Sequence, residues 1–417
     1  VEVKELLILV VHSSRVFMPR THVDKVARDL YILRLDDDET KYFEALWYIP
    51  EGVTYNAYVL VTDEGAVLFD SWKHTYSELF IDTLRGVVDP KDIKYVVIHH
   101  MEPDHSGSIP RLLETCRCEP TVLGHPLVNN MLRSFYGVEA RFTPVKDLEE
   151  MPVAGRSLKF IHIPWLHWPD TIATYIADSK VLLTCDAFGG FGIPPTIYDD
   201  NTATVEWYLP HVRKYVATVV GHYREHIAKN VDKISRLNLE VRTVAPAHGL
   251  VWRHDPKVII DIYYRLSRAE PAGKKVVVIY DTMYGFVEQA VKVVAEELSR
   301  QGYEVKIFSF TDRGHAQVSD IVGESLDSYA MVLGLSTYEG KLFPQMEYVV
   351  RLLVDKVDAE KPVLLVTSYG WGKVAEEYLR NLLRGSRLKV VDIVHVRGAP
   401  GGEDVERLRQ GFGFHRA

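Results

Sequence analysis

Cysteine is nearly absent from this chain, with three residues in 417. Three thiols cannot build a disulfide framework, and no CxxC…CxxC thiolate site is present. Cys116 and Cys118 form a CxC without a partner pair. Cys185 stands apart. All three are expected to be reduced structural thiols, Cys185 with the option of tuning a neighbouring site. Long hydrophobic runs are missing as well. No apolar stretch approaches the ~18 residues of a membrane span. The LLILVV run at 6–11 is too short for a signal sequence core and lacks a small-residue cleavage site. Positive charge is not in excess: 49 Lys and Arg face 57 Asp and Glu, a net −8, which argues against a nucleic-acid partner. No Ser-His-Asp or Cys-His set offers a nucleophile. A cytoplasmic protein without a membrane or nucleic-acid partner is expected. Its length and its 47% hydrophobic content allow two or three domains with sizeable cores.

What is present is concentrated in one stretch, HHMEPDHSG, residues 99–107. His100, Glu102, Asp104 and His105 place two imidazoles and two carboxylates side by side in sequence. The preceding IKYVVIH has the pattern of a buried strand, and SGSIPRLLE that of a helix opening capped by Ser106 or Ser108. Such a corner lies at the carboxyl end of a strand, where open α/β sheets place their sites. Alternate side chains of an extended segment share a face, so His100, Glu102 and Asp104 can point one way and the turn can return His105 to them. His99 then faces the other way, as a buried histidine or one supporting a ligand. Pro103 stiffens the corner. Four ligands are too many for one ion and suit two. A mixed carboxylate and imidazole set is harder than thiolate or all-imidazole sets, which shifts the preference toward iron or manganese and away from zinc. A lone HxE would be a charged surface turn; HxExDH between a strand and a helix is a metal motif.

HxExDH resembles the metallo-β-lactamase motif HxHxDH with glutamate in place of the second histidine, the variant that marks the flavodiiron proteins, or A-type flavoproteins. The resemblance runs from about Val23 to the end of the chain. It implies three further ligands, and each has a counterpart: His167 in PWLHWPD, Asp186 in LLTCDAFG and His248 in APAHGL. By the same resemblance His100, Glu102 and His167 hold the metal nearer the flavin, Asp104, His105 and His248 hold the other, and Asp186 bridges. Trp165 and Trp168 flank His167, and Asp170 is placed to accept from a ligating imidazole. His12, His22, His125, His162, His222 and His226 are expected to be incidental, although His222 and His226 are spaced to share a helix face.

The rest of the chain falls into two patterns. Residues 1–22 precede the resemblance and form an extension of unknown role. From 23 to 270 short strands, a hairpin at 54–70 and helices at 203–237 and 257–266 are expected. Periodicity alone gives α/β or α+β here; the resemblance implies a metallo-β-lactamase-like αββα sandwich. SRAEPAGKK at 267–275 marks a boundary. From 271 to 417 the strands VVVIY, EVKIFSF, AMVLGLS, VLLVTS and KVVDIVHV alternate with helices such as 288–301 and 373–383. Five βα units with nearly continuous apolar strands mean a parallel, doubly wound, flavodoxin-like sheet.

Three loops after those strands resemble the FMN loops of the family. In DTMYGFVEQ, Thr282, Met283, Tyr284 and Gly285 match a phosphate-wrapping loop at a helix start. Phe286 and Val287 depart from it, because they replace two hydroxyl or amide residues. Ser336, Thr337 and Tyr338, with Gly340 close by, correspond to the second loop. Ser368, Tyr369, Gly370, Trp371 and Gly372 correspond to the third, Trp371 as a stacking or shielding aromatic. A flavodoxin-like domain that has lost its flavin is the alternative, on account of Phe286 and Val287.

The resemblance therefore implies an oxidoreductase that reduces O2 to water, NO to N2O, or both, at a non-haem di-iron centre fed by FMN. It implies a head-to-tail homodimer or a dimer of dimers. The chain ends soon after its last βα unit, so a separate electron donor is expected, a rubredoxin or a reduced flavin-type carrier. The competing reading is a dinuclear-zinc hydrolase of the metallo-β-lactamase fold with an appended flavodoxin-like domain. An electron carrier with a vestigial metal site is disfavoured by the complete ligand set. Glu44, in YFEALW at 42–47, stands where some relatives carry an additional histidine, and it does not decide between O2 and NO.

Overall fold

The computed structural model describes residues 19–116 and 119–410. His12, Cys118 and the first eighteen residues lie outside them. The strand Arg20–Ala27 starts before Val23, so Arg20–His22, expected to belong to an extension, are part of the first sheet. His22 is tied there by Asp36 at 3.0 Å.

Two sheets form a sandwich. The first has seven strands in the order Arg20–Ala27, Leu30–Asp37, Val53–Thr62, Gly65–Phe69, Ile93–Ile98, Thr121–Gly124 and Phe142–Pro144. The second has five in sequence order, from Glu150–Val153 to Thr243–Pro246. Period-2 alternation decides which side chains meet between them. In Ile93–Ile98, Val97 points inward to Phe160, Ile172 and Leu183, while Val96 and Ile98 point outward to the covering helices. The metallo-β-lactamase-like αββα arrangement follows from that division.

The expected hairpin appears as Val53–Thr62 and Gly65–Phe69. The expected helix at 203–237 is interrupted. Thr202–Tyr215 passes into a wider π-type turn, Val216–Val220, and a tight turn, Gly221–Tyr223, before Glu225–Arg236. His222 and His226 therefore do not share a face: His222 bonds Asp355 at 2.7 Å, and the His226 ring lies near Trp165. The motif corner also differs from the extended reading. Glu102 precedes a short helix, Pro103–Ser106, with proline in its first turn, and a second helix, Ile109–Cys116, follows. Neither serine caps as expected. Ser106 Oγ donates to Met101 O (2.8 Å), and Ser108 Oγ to Trp72 O (2.9 Å).

Beyond the boundary, where the helix Pro256–Ser267 ends and the strand Lys275–Asp281 begins, five parallel strands form a flavodoxin-like doubly wound sheet. Their order is Glu304–Thr311, Lys275–Asp281, Ala330–Tyr338, Lys361–Tyr369 and Leu388–Arg397, which is 2-1-3-4-5. Both faces are buried. Val277, Ile279, Leu333 and Leu365 pack on one side, Val276, Val278, Val332 and Leu364 on the other. No helix among the described residues is long and apolar enough to cross a membrane.

The sandwich and the parallel sheet share one continuous core, which runs from Val216 and Val220 to Ile321, Val322, Leu353 and Val357. Charge reinforces the seam. Buried Lys214 lies 2.9 Å from both Glu51 and Asp320, and Arg213 and Lys275 both meet Glu324 and Asp327. Arg224 donates to the carbonyls of Ser267 (3.0 Å), Lys356 (3.1 Å), Val357 (2.6 Å) and Asp358 (2.8 Å). Removing it strands those acceptors at a buried seam. Arg224→Ala is expected to cost about 3 kcal/mol, seen as a lower melting temperature and faster protease cleavage at 267–275. An unchanged melting curve would show that the seam does not depend on it.

Candidate metal centre and flavin cavity

The ligand-type residues leave the sandwich at one edge. His100 and Glu102 follow Ile93–Ile98, and Asp104 and His105 sit in Pro103–Ser106. His167 follows Arg156–His162, Asp186 follows Val181–Cys185, and His248 follows Thr243–Pro246. The structure brings all seven together, and all are buried.

They form two groups that meet at one carboxylate. In the first, Glu102 Oε2 lies 3.2 Å from His100 Nε2 and 2.8 Å from His167 Nε2, and Asp186 Oδ2 lies 3.3 and 3.4 Å from the same nitrogens. In the second, Asp186 Oδ1 lies 2.7 Å from His105 Nε2 and 3.2 Å from His248 Nε2, with Asp104 3.4 Å from each. Asp186 thus turns one oxygen to each group. Ligand atoms of His100, Glu102, His167 and Asp186 all lie within 4.8 Å of one another, and so do those of Asp104, His105 and His248. Asp104 Oδ1 and Oδ2, Asp186 Oδ2 and His248 Nε2 are buried without a hydrogen-bond partner. Buried polar atoms are rarely left so, and cations between them would satisfy every one. The donor set fits two metal ions.

Surrounding contacts aim the imidazoles. His248 Nδ1–H donates to Thr54 O (2.7 Å), which leaves the Nε2 lone pair facing the site. His100 Nδ1 lies 3.4 Å from Asp170 Oδ1, and Asp170 Oδ2 accepts from Met101 N (2.9 Å). The supporting role expected for Asp170 matches this geometry. Trp168 stands edge-on to His100 with centroids 4.8 Å apart, and Trp165 stacks on Tyr223 at 4.9 Å. The His248 loop depends on Gly249, whose φ is +75° and where a Cβ would meet the Tyr208 hydroxyl at 1.6 Å. His99 is no ligand. It lies between Asp70 (2.7 Å) and Thr174 (2.9 Å) and stacks on Phe69. Cys185 is buried beside Asp186, and burial pushes its thiol well above the ordinary value.

Electrostatics follow the same pairing. Burial opposes protonation of all four imidazoles, but the surrounding carboxylates outweigh it. His100 is held well above its ordinary value, mainly by Asp170 and Glu102, and His105 is raised by Asp104 and Asp186. His167 rises to about 9 with Glu102 beside it, and His248 to about 10 with Asp104 and Asp186. Burial likewise opposes ionisation of Glu102 and Asp186, yet the imidazoles hold both carboxyls low.

A mouth of about 410 Å³ opens beside His167, lined by Glu44, Trp165, Trp168, Val219, Tyr223 and Lys356 among others. Glu44 sits in the hairpin turn between Tyr42–Phe43 and Trp47–Tyr48 and accepts from Trp47 Nε1 at 3.1 Å. Burial, then Glu102, raises its carboxyl. Lys356 reaches this mouth from beyond the seam, a contribution that sequence spacing does not reveal.

A second cavity, about 250 Å³, lies at the carboxyl ends of the parallel strands. It is lined by Thr282, Met283, Tyr284, Phe286 and Val287, by Ser336 and Thr337, and by Ser368, Tyr369, Gly370, Trp371 and Gly372. The three loops expected to hold FMN therefore converge. Gly285 carries the loop at φ +82° with its N–H on Thr282 Oγ1, directly before the fifteen-residue helix Phe286–Arg300. Tyr338 lies outside the lining, edge-on to Phe343, and Gly340 sits in the turn beyond it. Val287 is buried, and Phe286 is partly exposed at the rim. Gly398 also lines the cavity. It follows the last strand and carries no motif by which the sequence could have shown it.

The sequence model of a family described as "ODP family beta lactamase" matches residues 53–249. A nitric oxide reductase from Moorella thermoacetica is 32% identical over 361 residues, covering 85% of this chain and 88% of that protein. The chain belongs to the flavodiiron family. A mutant flavo di-iron protein from Thermotoga maritima superposes with a TM-score of 0.90 at 37% identity, covering 94% of this chain and 98% of that one. A rubredoxin-oxygen oxidoreductase from Megalodesulfovibrio gigas is 27% identical over 388 residues, 92% of this chain and 95% of that protein. The two-sheet sandwich and the 2-1-3-4-5 sheet described above are thus the architecture of this flavodiiron chain.

Two outcomes follow from the centre. Imidazoles that carry protons in the metal-free protein must lose them to bind metal. Loading ferrous or cobaltous ion is expected to release about two or more protons per chain and to weaken as pH falls from about 9; a weakly buffered indicator titration measures this, and proton-neutral uptake would contradict the ligand set. Asp170→Asn should weaken metal affinity about 10- to 100-fold by disturbing His100 alone, with one of the two metals lost first on chelator titration.

Proposed function

We propose that this chain is a flavodiiron oxidoreductase that reduces O2 to water, NO to N2O, or both. The observation that carries the reading is Asp186 shared between two ligand groups, on the same chain as an uncharged cavity built from three FMN-like loops. When bound, FMN supplies one- and two-electron transfer, and two irons supply adjacent open coordination positions for a diatomic substrate. His100, Glu102 and His167 hold one iron, Asp104, His105 and His248 hold the other, and Asp186 bridges. Two imidazoles with carboxylates at each position favour iron or manganese over zinc. Asp170 and the Thr54 carbonyl keep the His100 and His248 rings in the tautomer that faces the metals. Trp165, Trp168 and Tyr223 supply aromatic wall to the approach, and Glu44 at the mouth stands within electrostatic reach of Glu102.

Thr282, Met283, Tyr284, Gly285, Phe286 and Val287 wrap the FMN phosphate with backbone N–H groups at the start of the helix. Ser336 and Thr337, with Ser368, Tyr369, Gly370, Trp371 and Gly372, would surround the ring, while Tyr338 stands outside that lining. Loss of side-chain hydroxyls at Phe286 and Val287 leaves that backbone cradle intact. We assign the di-iron domain to the chain from the strand beginning at Arg20 to about 270, and the FMN domain to 271–417. Residues 1–18 carry no assigned role.

Around the cavity stand Trp371, 99% exposed, and Tyr284, 80% exposed, with Phe286 and Tyr338 beside them. This aromatic rim suits the Trp- and Tyr-bearing mouth of a second copy, as a head-to-tail homodimer or a dimer of dimers would present it. The electron donor is a carrier of the rubredoxin class; the three cysteines in these 417 residues do not themselves form a four-thiolate iron site. A buried free thiol at Cys185 agrees with a cytoplasmic location.

The test is metal and flavin content of aerobically and anaerobically purified protein, by elemental analysis and visible absorption. About two irons and one FMN per chain, followed by O2 or NO consumption with reduced rubredoxin, are expected. Two zincs without flavin would replace this reading with a hydrolase of the same fold.

A further inference from the structure

Asp281 ends the strand Lys275–Asp281 immediately before the first cavity loop, and its side chain is fully buried. Oδ1 accepts the Ser336 N–H at 3.0 Å, and Ser336 Oγ donates to the Asp281 carbonyl at 3.4 Å. The residue thus ties the first loop to the second. Its Oδ2 is buried with no hydrogen-bond partner, and so is Oγ1 of Thr337 in the cavity wall. Two orphaned polar atoms, one on the residue that leads into the first loop and one in the cavity wall beside its partner Ser336, point to a ligand.

No residue lining the cavity carries a formal charge. A phosphate seated there meets backbone N–H groups and hydroxyls but no cation. An ionised carboxylate sealed beneath the same loops would repel it with little solvent screening. Burial pushes the Asp281 carboxyl up to about 7, against the hydrogen bonds from Ser336. No neighbouring charge contributes. Glu288 and Lys292 on the following helix and Arg313 beyond Glu304–Thr311 act on Tyr280 instead, the preceding residue, whose side chain points to the other face. Lys373, after the third loop, lies over the Tyr369 ring. Ser336 and Thr337 on Ala330–Tyr338, and Phe310, whose carbonyl accepts from Thr282 N, bring no charge.

We propose that Asp281 is the proton-holding residue of the FMN site: the cavity takes the flavin phosphate with this carboxyl neutral, and FMN affinity is lost as the carboxyl ionises. The inference rests on the cavity being the FMN site. Asp281 positions and neutralises and does not touch the reacting ring. The sign follows from linkage. Bound phosphate favours the protonated acid, so binding above neutrality takes up a proton and weakens as pH rises. Each unit by which bound FMN raises the carboxyl's pKa is about tenfold in affinity.

The experiment titrates the full-length apoprotein with FMN and with riboflavin, by quenching of flavin fluorescence, at pH 6 and pH 8.5. FMN should bind the native chain about tenfold more weakly at the higher pH, while riboflavin, lacking the phosphate, should not change. The phosphate's own second ionisation near pH 6 strengthens binding to backbone N–H groups as pH rises, which is the opposite sign. Asp281→Asn keeps the acceptor for Ser336 N and is neutral throughout; it should bind FMN at pH 8.5 as tightly as the native chain does at pH 6. Equal pH dependence in the two proteins, or riboflavin following FMN, overturns the inference. If the variant does not fold, the contrast of FMN with riboflavin on the native chain decides alone. Failure of FMN to bind at either pH overturns the FMN reading itself, whereas binding without the contrast overturns only the role of Asp281.

Discussion

The carboxylate of Asp186, one oxygen toward His100 and His167 and the other toward His105 and His248, is the constraint on which the rest of the structure depends. Three carboxylates and four imidazoles are buried within reach of one another. Such a cluster is costly unless each charge is paired or coordinated. The structure meets that cost twice. Without metal, carboxylates and protonated imidazoles offset each other, which is why the acids are held low and the histidines high. Two metal ions held by the same atoms would satisfy the orphaned oxygens of Asp104 and Asp186. Everything around them keeps the arrangement from relaxing: the Asp170 bond to Met101 N, the Thr54 carbonyl on His248, and the glycine at 249 against Tyr208.

The seam between the two halves belongs to the same design. The helical segment 202–236 packs toward the centre through Tyr215, whose ring lies 5.8 Å from that of His248. It also carries Arg213, Lys214 and Arg224, which bind the parallel-sheet half. A shared apolar core and buried ion pairs make that seam unlike a flexible linker joining independent domains. One result is chemical: Lys356, from the second half, helps to line the mouth of a centre built wholly from the first.

The cavity of the parallel sheet follows another rule. Its walls are uncharged, its rim is aromatic, and the polar groups it offers are backbone groups and hydroxyls. Where the metal centre balances buried charge against buried charge, this site avoids charge altogether. Asp281 is the exception, and burial raises its carboxyl to about 7, so that a substantial share of it stays protonated at neutral pH. That contrast sets a charge-balanced metal centre against an uncharged cavity within one chain.

The sequence by itself determined more of the site than of its surroundings. HxExDH named four ligands through residue type and spacing, and its resemblance to the flavodiiron pattern singled out His167, Asp186 and His248, which no local periodicity marks. The five apolar runs after 271 determined the parallel sheet, because strands buried on both faces leave an unbroken hydrophobic signature. Tertiary structure decided the rest. Asp104 meets His248 because Pro103 starts a helical turn, not because an extended chain alternates. The helix expected at 203–237 breaks where it must serve both the centre and the seam. Tyr338 turns from the cavity toward Phe343, and Gly398 enters it from a loop without a motif. Lys356 and Asp281 acquire their roles only from what is folded against them. Residue type and local spacing govern chemistry within a few positions, whereas burial and contact across the chain are properties of packing, which no short stretch of sequence contains.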